Sequence, residues 1–319
     1  MKQMRVGDIP KSFVLLLACL AVSASPGVLA AQGRDTARIG YTAEECAGCA
    51  EWNRPQRPFR VFGNVYYVGT RGLSALLITT SDGHVLLDGA LPESAPQIID
   101  NIRTLGFRIE DVALILNSHA HYDHAGGIAA LQRASGARVA ALPWSAAALS
   151  RGLTGDEDPQ RSTRLRYPRV TDVDEIREGE VQRAGSLVLT PHFTGGHTPG
   201  GTTWTWRSCD GETCLDFVYA DSQTPVSDDD FHFTRNRRYP SARRDFERGF
   251  AVLERLACDV LISTHPGASR FLERIEARER GDTTALTRPG QCREYAAEAR
   301  QRLADRLARE QREGVQPPR

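Results

Sequence analysis

From residue 61 to residue 90 the apolar positions fall in three short runs, "VFGNVYYVGT", "SALLITT" and "HVLLDG", cut by turn residues such as the "SDG" before His84. Runs this short, rich in Val, Tyr, Ile and Leu, predict successive strands. The period then changes. Ile98, Ile99, Ile102 and Leu105 share one face at helical spacing, with Ser94 placed as an N-cap and Gly106 as a stop. The continuous apolar run "VALILN" predicts a buried strand ending near Asn117, followed by a helix over "GGIAALQRAS" and a strand over "ARVAAL".

Residues 151–184 are polar, rich in Arg and Asp and weakly periodic, and predict a long surface loop or flap. Beyond them the first half's logic repeats. Strands are predicted over "SLVLTPHF", "TTWTWRS" and "LDFVYA", then a helix over "ARRDFERGFAVLERLA", a strand over "DVLIST" and a charged amphipathic helix over 293–312. Strands in two groups, each with helices alongside, predict two sheets packed face to face with helices outside.

The first thirty residues follow a different pattern. Lys2, Arg5 and Lys11 precede the apolar run "SFVLLLACLAV", and Val28 and Ala30 supply the small residues of a cleavage site after Ala30. This is the pattern of a signal peptide over residues 1–30, leaving one domain over 31–319 with a C-terminal helix and a periplasmic location. The run is too short to span a bilayer, which needs about 20 residues. Cys19 in "LLAC" also fits lipoprotein processing.

Export changes how the cysteines read. Six remain after the leader: Cys46, Cys49, Cys209, Cys214, Cys258 and Cys292. In an oxidising compartment an even number predicts disulfides. Cys209 and Cys214 flank the turn "DGET" and read as a hairpin staple, while Cys258 with Cys292 would tie a late strand to the last helix. Cys46 and Cys49 form a CxxC that could be redox-active or zinc-binding, though a small structural loop suits it better without a second CxxC.

Composition excludes some functions. Formal net charge is zero with both signs interspersed, so there is no electrostatic footprint for nucleic acid. After the leader the chain has no lysine, which removes hydrolases built on S-x-x-K, and there is no G-x-S-x-G elbow.

The chemistry concentrates in "NSHAHYDHAGG", residues 117–127. Three of the chain's 8 histidines, His119, His121 and His124, stand there with Asp123 at the end of an apolar strand. A packed core has no use for such a cluster, since each buried imidazole needs a polar partner. A metal does: neutral imidazoles and one carboxylate suit zinc. His197 in "TGGHTPGG" and His265 in "ISTHP" occupy comparable places, although His265 alone would read as an ordinary strand-end histidine. His84, His192 and His232 read as ordinary histidines, and Asp88 as a strand-end carboxylate bonded to backbone.

Together "SHAHYDHAGG", "GGHTPGGTTW", "YADS" and "STHP" resemble the metallo-β-lactamase superfamily, and their order is most similar to the third subclass of class B β-lactamases. The likeness runs from about Trp52 to the C-terminal helix. It implies an α/β fold, an αββα sandwich of two mixed sheets. It implies two zinc ions, the first on His119, His121 and His197 and the second on Asp123, His124 and His265. Ser222 would help hold substrate and its water network, Thr224 would contact the drug carboxylate, and Gln160 in "DPQ" would face substrate.

Three protein ligands per zinc leave open positions, the mark of a catalytic site. A hydroxide shared by the two zincs would be the nucleophile, with Asp123 holding one metal and orienting it. The expected protein is an exported, monomeric β-lactamase that opens penicillins, cephalosporins and carbapenems and so confers antibiotic resistance, with no nucleic-acid partner and no stable membrane insertion after cleavage. Two other readings stand beside it: a lactone or thioester hydrolase of the same fold, and a non-enzymatic zinc protein. Members of the lactone and thioester class use a metal-bridging aspartate in a similar segment. Here Asp221 in that segment reads instead as a residue behind the ligands.

Overall fold

The computed structural model describes residues 42, 45–161 and 165–315. The expected signal peptide, its cleavage site and Cys19 lie outside the described residues. Among those described, no helix is long and apolar enough to cross a membrane.

The first sheet has seven strands in sequence order: β1 (Phe59–Phe62), β2 (Val65–Tyr67), β3 (Leu76–Ile78), β4 (His84–Leu87), β5 (Val112–Leu116), β6 (Arg138–Ala141) and β7 (Val173–Glu175). β1 to β4 pair antiparallel, whereas β4 to β7 pair parallel. The second sheet orders β12 (Val260–Ser263), β11 (Thr213–Ala220), β10 (Thr202–Asp210), β9 (Leu187–Phe193) and β8 (Gln182–Ala184), with only β11 and β12 parallel. Both sheets are therefore mixed.

Side-chain alternation explains the layers. Val85, Leu87, Leu114 and Leu116 of the first sheet meet Trp204, Phe217, Tyr219 and Ile262 of the second in a buried layer between them. Their neighbours Leu86, Ile115 and Val139 point the other way. There they pack on α2 (Ala95–Thr104), α4 (Ile128–Ser135) and α5 (Pro143–Arg151). Behind the second sheet, Val218, Ala220 and Leu261 pack on Phe246, Phe250 and Leu253 of α6 (Ala242–Arg255) and on Tyr295, Ala299 and Leu303 of the last helix, residues Gln291–Val315. Strands largely buried on both faces read as unbroken apolar runs, which is why "VALIL" and "VLI" show no alternation.

Two local expectations need correction. Ser94 precedes α2 but adopts αR geometry after a 3₁₀ turn, Pro92–Ser94, and caps nothing. Its hydroxyl donates instead to Asn53 Oδ1 at 2.6 Å. Residues 151–184 are more than a surface loop. They contain β7 and β8, and Tyr167, Val170 and Asp158 are buried. The strands there are three residues each, too short to show a period.

Disulfides join Cys46 to Cys49, Cys209 to Cys214 and Cys258 to Cys292. Cys209 and Cys214 sit directly opposite each other at the β10–β11 turn. Sequence separations of 34 and 5 residues give about 4 and about 2 kcal/mol respectively in the chain-entropy account. Cys258→Ala with Cys292→Ala should therefore lower the urea-unfolding free energy more than Cys209→Ala with Cys214→Ala. Equal losses would contradict that account.

Candidate metal centre

Three strand ends, a short helix and one inter-strand connection meet at one edge of the sandwich. β5 ends at Leu116 and delivers His119 and His121, and a short helix, α3 (Tyr122–Ala125), turns Asp123 and His124 towards the same point. β11 delivers Asp221 and Ser222, β12 delivers His265, and the β9–β10 connection carries His197. The halves are tied there: Thr202 N–H donates to Ser118 O (2.8 Å) and Trp204 Nε1–H to Asn117 O (3.0 Å).

His119, His121 and His197 are brought together with one potential ligand atom from each within 4.8 Å of the others, all three poorly accessible. Asp123 and His124 form a second such group with His119. His265 joins from the far side: its Nε2 lies 3.1 Å from Asp123 Oδ2 and 3.2 Å from His124 Nε2. His124 Nε2 in turn lies 3.3 Å from Asp123 Oδ2.

Each imidazole of the first set is held from behind. His119 Nδ1 contacts Asp221 Oδ1 at 2.7 Å, His121 Nε2 contacts both oxygens of Asp158 at 2.9 and 3.1 Å, and His197 Nδ1–H donates to the Thr224 carbonyl at 2.8 Å. Such partners fix ring orientation and tautomer at metal sites. Asp221 thus stands behind His119. It is walled in by Gly201, where a Cβ would collide with its carboxylate.

Burial lowers His119 well below the usual imidazole value, and the nearby His124, His121 and His197 push the same way. Burial also lowers His197, to about 3. Both are therefore neutral, the form that offers a lone pair. For His121 burial acts in the same direction, but the Asp158 charge and hydrogen bond outweigh it and raise the pKa. Burial opposes ionisation of Asp123, yet His124 and His265 hold it well below the usual carboxylate range.

The donors fit a cation. His119 Nε2 is buried with no hydrogen-bond partner. An unsatisfied buried polar atom costs about 1–3 kcal/mol, unless something takes up its lone pair. Two adjoining imidazole-rich sets, the second with one carboxylate, are the donor chemistry of zinc.

The remaining candidates lie around this centre. Ser222 Oγ is bonded to Thr264 Oγ1 at 2.9 Å, and Thr224 Oγ1 is 3.3 Å from His197 Nδ1. Gln160 lines a cavity of about 240 Å³ that reaches His121 and Asp123, and its N–H donates to Asp158 Oδ1 at 2.7 Å. His84, His192 and His232 lie apart, His192 bonded to Thr205 and His232 near Arg235. Asp88 departs from expectation. It accepts one backbone N–H, from Ser118, but also the Ser118 hydroxyl, the Asn117 amide and the Tyr219 hydroxyl. It holds the strand end that carries the histidines. Asp158 went unseen in the sequence because a bond spanning 37 residues from a polar, aperiodic run leaves no local pattern.

A family model of the metallo-β-lactamase superfamily matches residues 68–265. Among solved structures, the Rm3 metallo-β-lactamase is 54% identical over 83% of this chain and 99% of its own, with a TM-score of 0.82. MEM-A1, a subclass B3 metallo-β-lactamase from a soil metagenome library, is 44% identical over 82% and 99%, with a TM-score of 0.80. The metallo-β-lactamase SMB-1, solved with mercaptoacetic acid, is 39% identical over 81% and 99%, with a TM-score of 0.77.

Proposed function

Because the chain belongs to the metallo-β-lactamase superfamily, we propose that it is an exported, monomeric zinc β-lactamase that opens penicillins, cephalosporins and carbapenems. The observation that carries the reading is the joining of two donor sets beside one cavity: His119, His121 and His197, then Asp123, His124 and His265. Each set would hold one zinc. Zinc bound by such donors supplies a water acidified to a pKa of about 7 and a Lewis acid for the lactam carbonyl.

The chain's own residues do the rest. Asp221, Asp158 and Thr224 hold His119, His121 and His197 in place, so their donor atoms need not reorganise during turnover. Asp123 contributes the negative charge of the second set and orients the nucleophile. Ser222 and Thr224 offer hydroxyls to the substrate carboxylate, a task that lysine cannot fill in a chain lacking it beyond residue 11. Gln160 contacts the substrate from the cavity wall. No side chain is required as a covalent nucleophile, so bulky substituents that stall acyl-enzymes are no obstacle.

Substrate choice tests the reading against a lactone or thioester hydrolase of the same fold. kcat/KM for imipenem should exceed that for S-lactoylglutathione and for an acyl-homoserine lactone, and clavulanate should not inhibit. A hundredfold preference for the thioester or the lactone would overturn the assignment.

A further inference from the structure

The Cys46–Cys49 disulfide does not stand apart from the centre. Cys46, Cys49 and Trp52 line the same cavity as His121, Asp123 and Gln160. The disulfide brackets the start of a one-turn helix, α1 (Cys49–Trp52), in which Trp52 N–H donates to Gly48 O at 2.8 Å. The indole ends edge-on against His265, with ring centroids 4.9 Å apart and planes at 66°.

A backbone relay joins the same two residues. Gly72 N–H donates to the Trp52 carbonyl at 2.9 Å, and the Gly72 carbonyl accepts His265 Nδ1–H at 3.1 Å. The approach is close enough to need glycine, since a Cβ there would stand 2.6 Å from Trp52 Cα. Thr70 Oγ1 donates to the same Trp52 carbonyl at 2.7 Å.

His265 is the ligand candidate with the least protein around it. Its side chain is 29% exposed, against 1% for His124. The Gly72 carbonyl sets its tautomer, leaving the Nε2 lone pair for the cluster, but one hydrogen bond does not stop the ring turning about that axis. The indole edge, together with the His124 ring 4.8 Å away, limits that turn. We propose that Trp52, held by the Cys46–Cys49 staple, positions His265 and so sets the affinity of the second metal position without touching the first. This rests on the two-metal reading above.

The test is a zinc titration of metal-free protein against a chromophoric chelator, which resolves two binding constants without measuring turnover. Trp52→Ala should weaken the second constant by about 10- to 100-fold, the usual cost of losing an outer partner of a metal ligand. The first should stay within about 3-fold. Trp52→Phe keeps an aromatic edge and should restore most of the lost affinity. Cys46→Ala with Cys49→Ala leaves the indole but releases the turn, and should weaken the second position alone; it carries the test if Trp52→Ala does not fold. Wild-type protein that takes up a single zinc overturns the two-metal reading and this inference with it. Two zincs in wild type, with both constants unchanged in these variants or both weakened equally, overturn the inference alone.

Discussion

Asp123→Asn should leave the fold intact and lower kcat by about 10²-fold or more, with loss of the second zinc. Asp123 Oδ2 lies 3.1 Å from His265 Nε2 and 3.3 Å from His124 Nε2, so among the described residues it is the one carboxylate in direct contact with both imidazoles of the second set. Burial works against its charge, yet those two histidines keep it ionised. Asparagine preserves the shape and removes the charge. The second cation then loses its one anionic ligand, while His119, His121 and His197 are untouched. Ser222→Ala should act differently. Its hydroxyl is bonded to Thr264 and belongs to no donor set, so its loss should act chiefly on KM. Kinetics on both variants, with zinc content measured alongside, separate the two roles. If they behave alike, the assignment of Asp123 to metal and Ser222 to substrate is wrong.

The parts of this centre that were legible in the sequence are those written within one segment. His119, His121, Asp123 and His124 follow one strand end, so a single apolar run and its termination place them together. His197 and His265 were legible as candidates because glycines surround the one and an apolar strand precedes the other. Their convergence depends on how the two sheets pack, which no local period encodes. The residues behind the ligands were harder. Asp158 bonds His121 from 37 positions away, and Trp52 meets His265 across the whole domain. Asp88 was read as an ordinary strand-end carboxylate, yet at φ 61° it gathers four donors beneath the histidine segment. A left-handed non-glycine residue costs energy that its surroundings must repay, and that repayment is visible only once the strands are assembled.

The layers were legible for the same reason as the cluster. Runs such as "VALIL" and "VLI" show no polar alternation because residues on both of their faces are largely covered. Residues 151–184 misled because β7 and β8 are short strands, at the ends of their sheets, with exposed residues between them.

The central claim is that β-lactam hydrolysis here depends on zinc held by the two donor sets. Imipenem turnover by the purified protein, before and after exhaustive chelation and again after zinc is returned, tests it most directly. A metal that polarises the carbonyl and supplies the nucleophile contributes several kcal/mol, and each 1.36 kcal/mol is tenfold in rate, so stripping should cost on the order of 10³-fold or more. Return of zinc should restore turnover as occupancy approaches two ions per chain. Stripped protein, shown free of zinc by mass spectrometry, that still hydrolyses imipenem at the original rate would contradict the account.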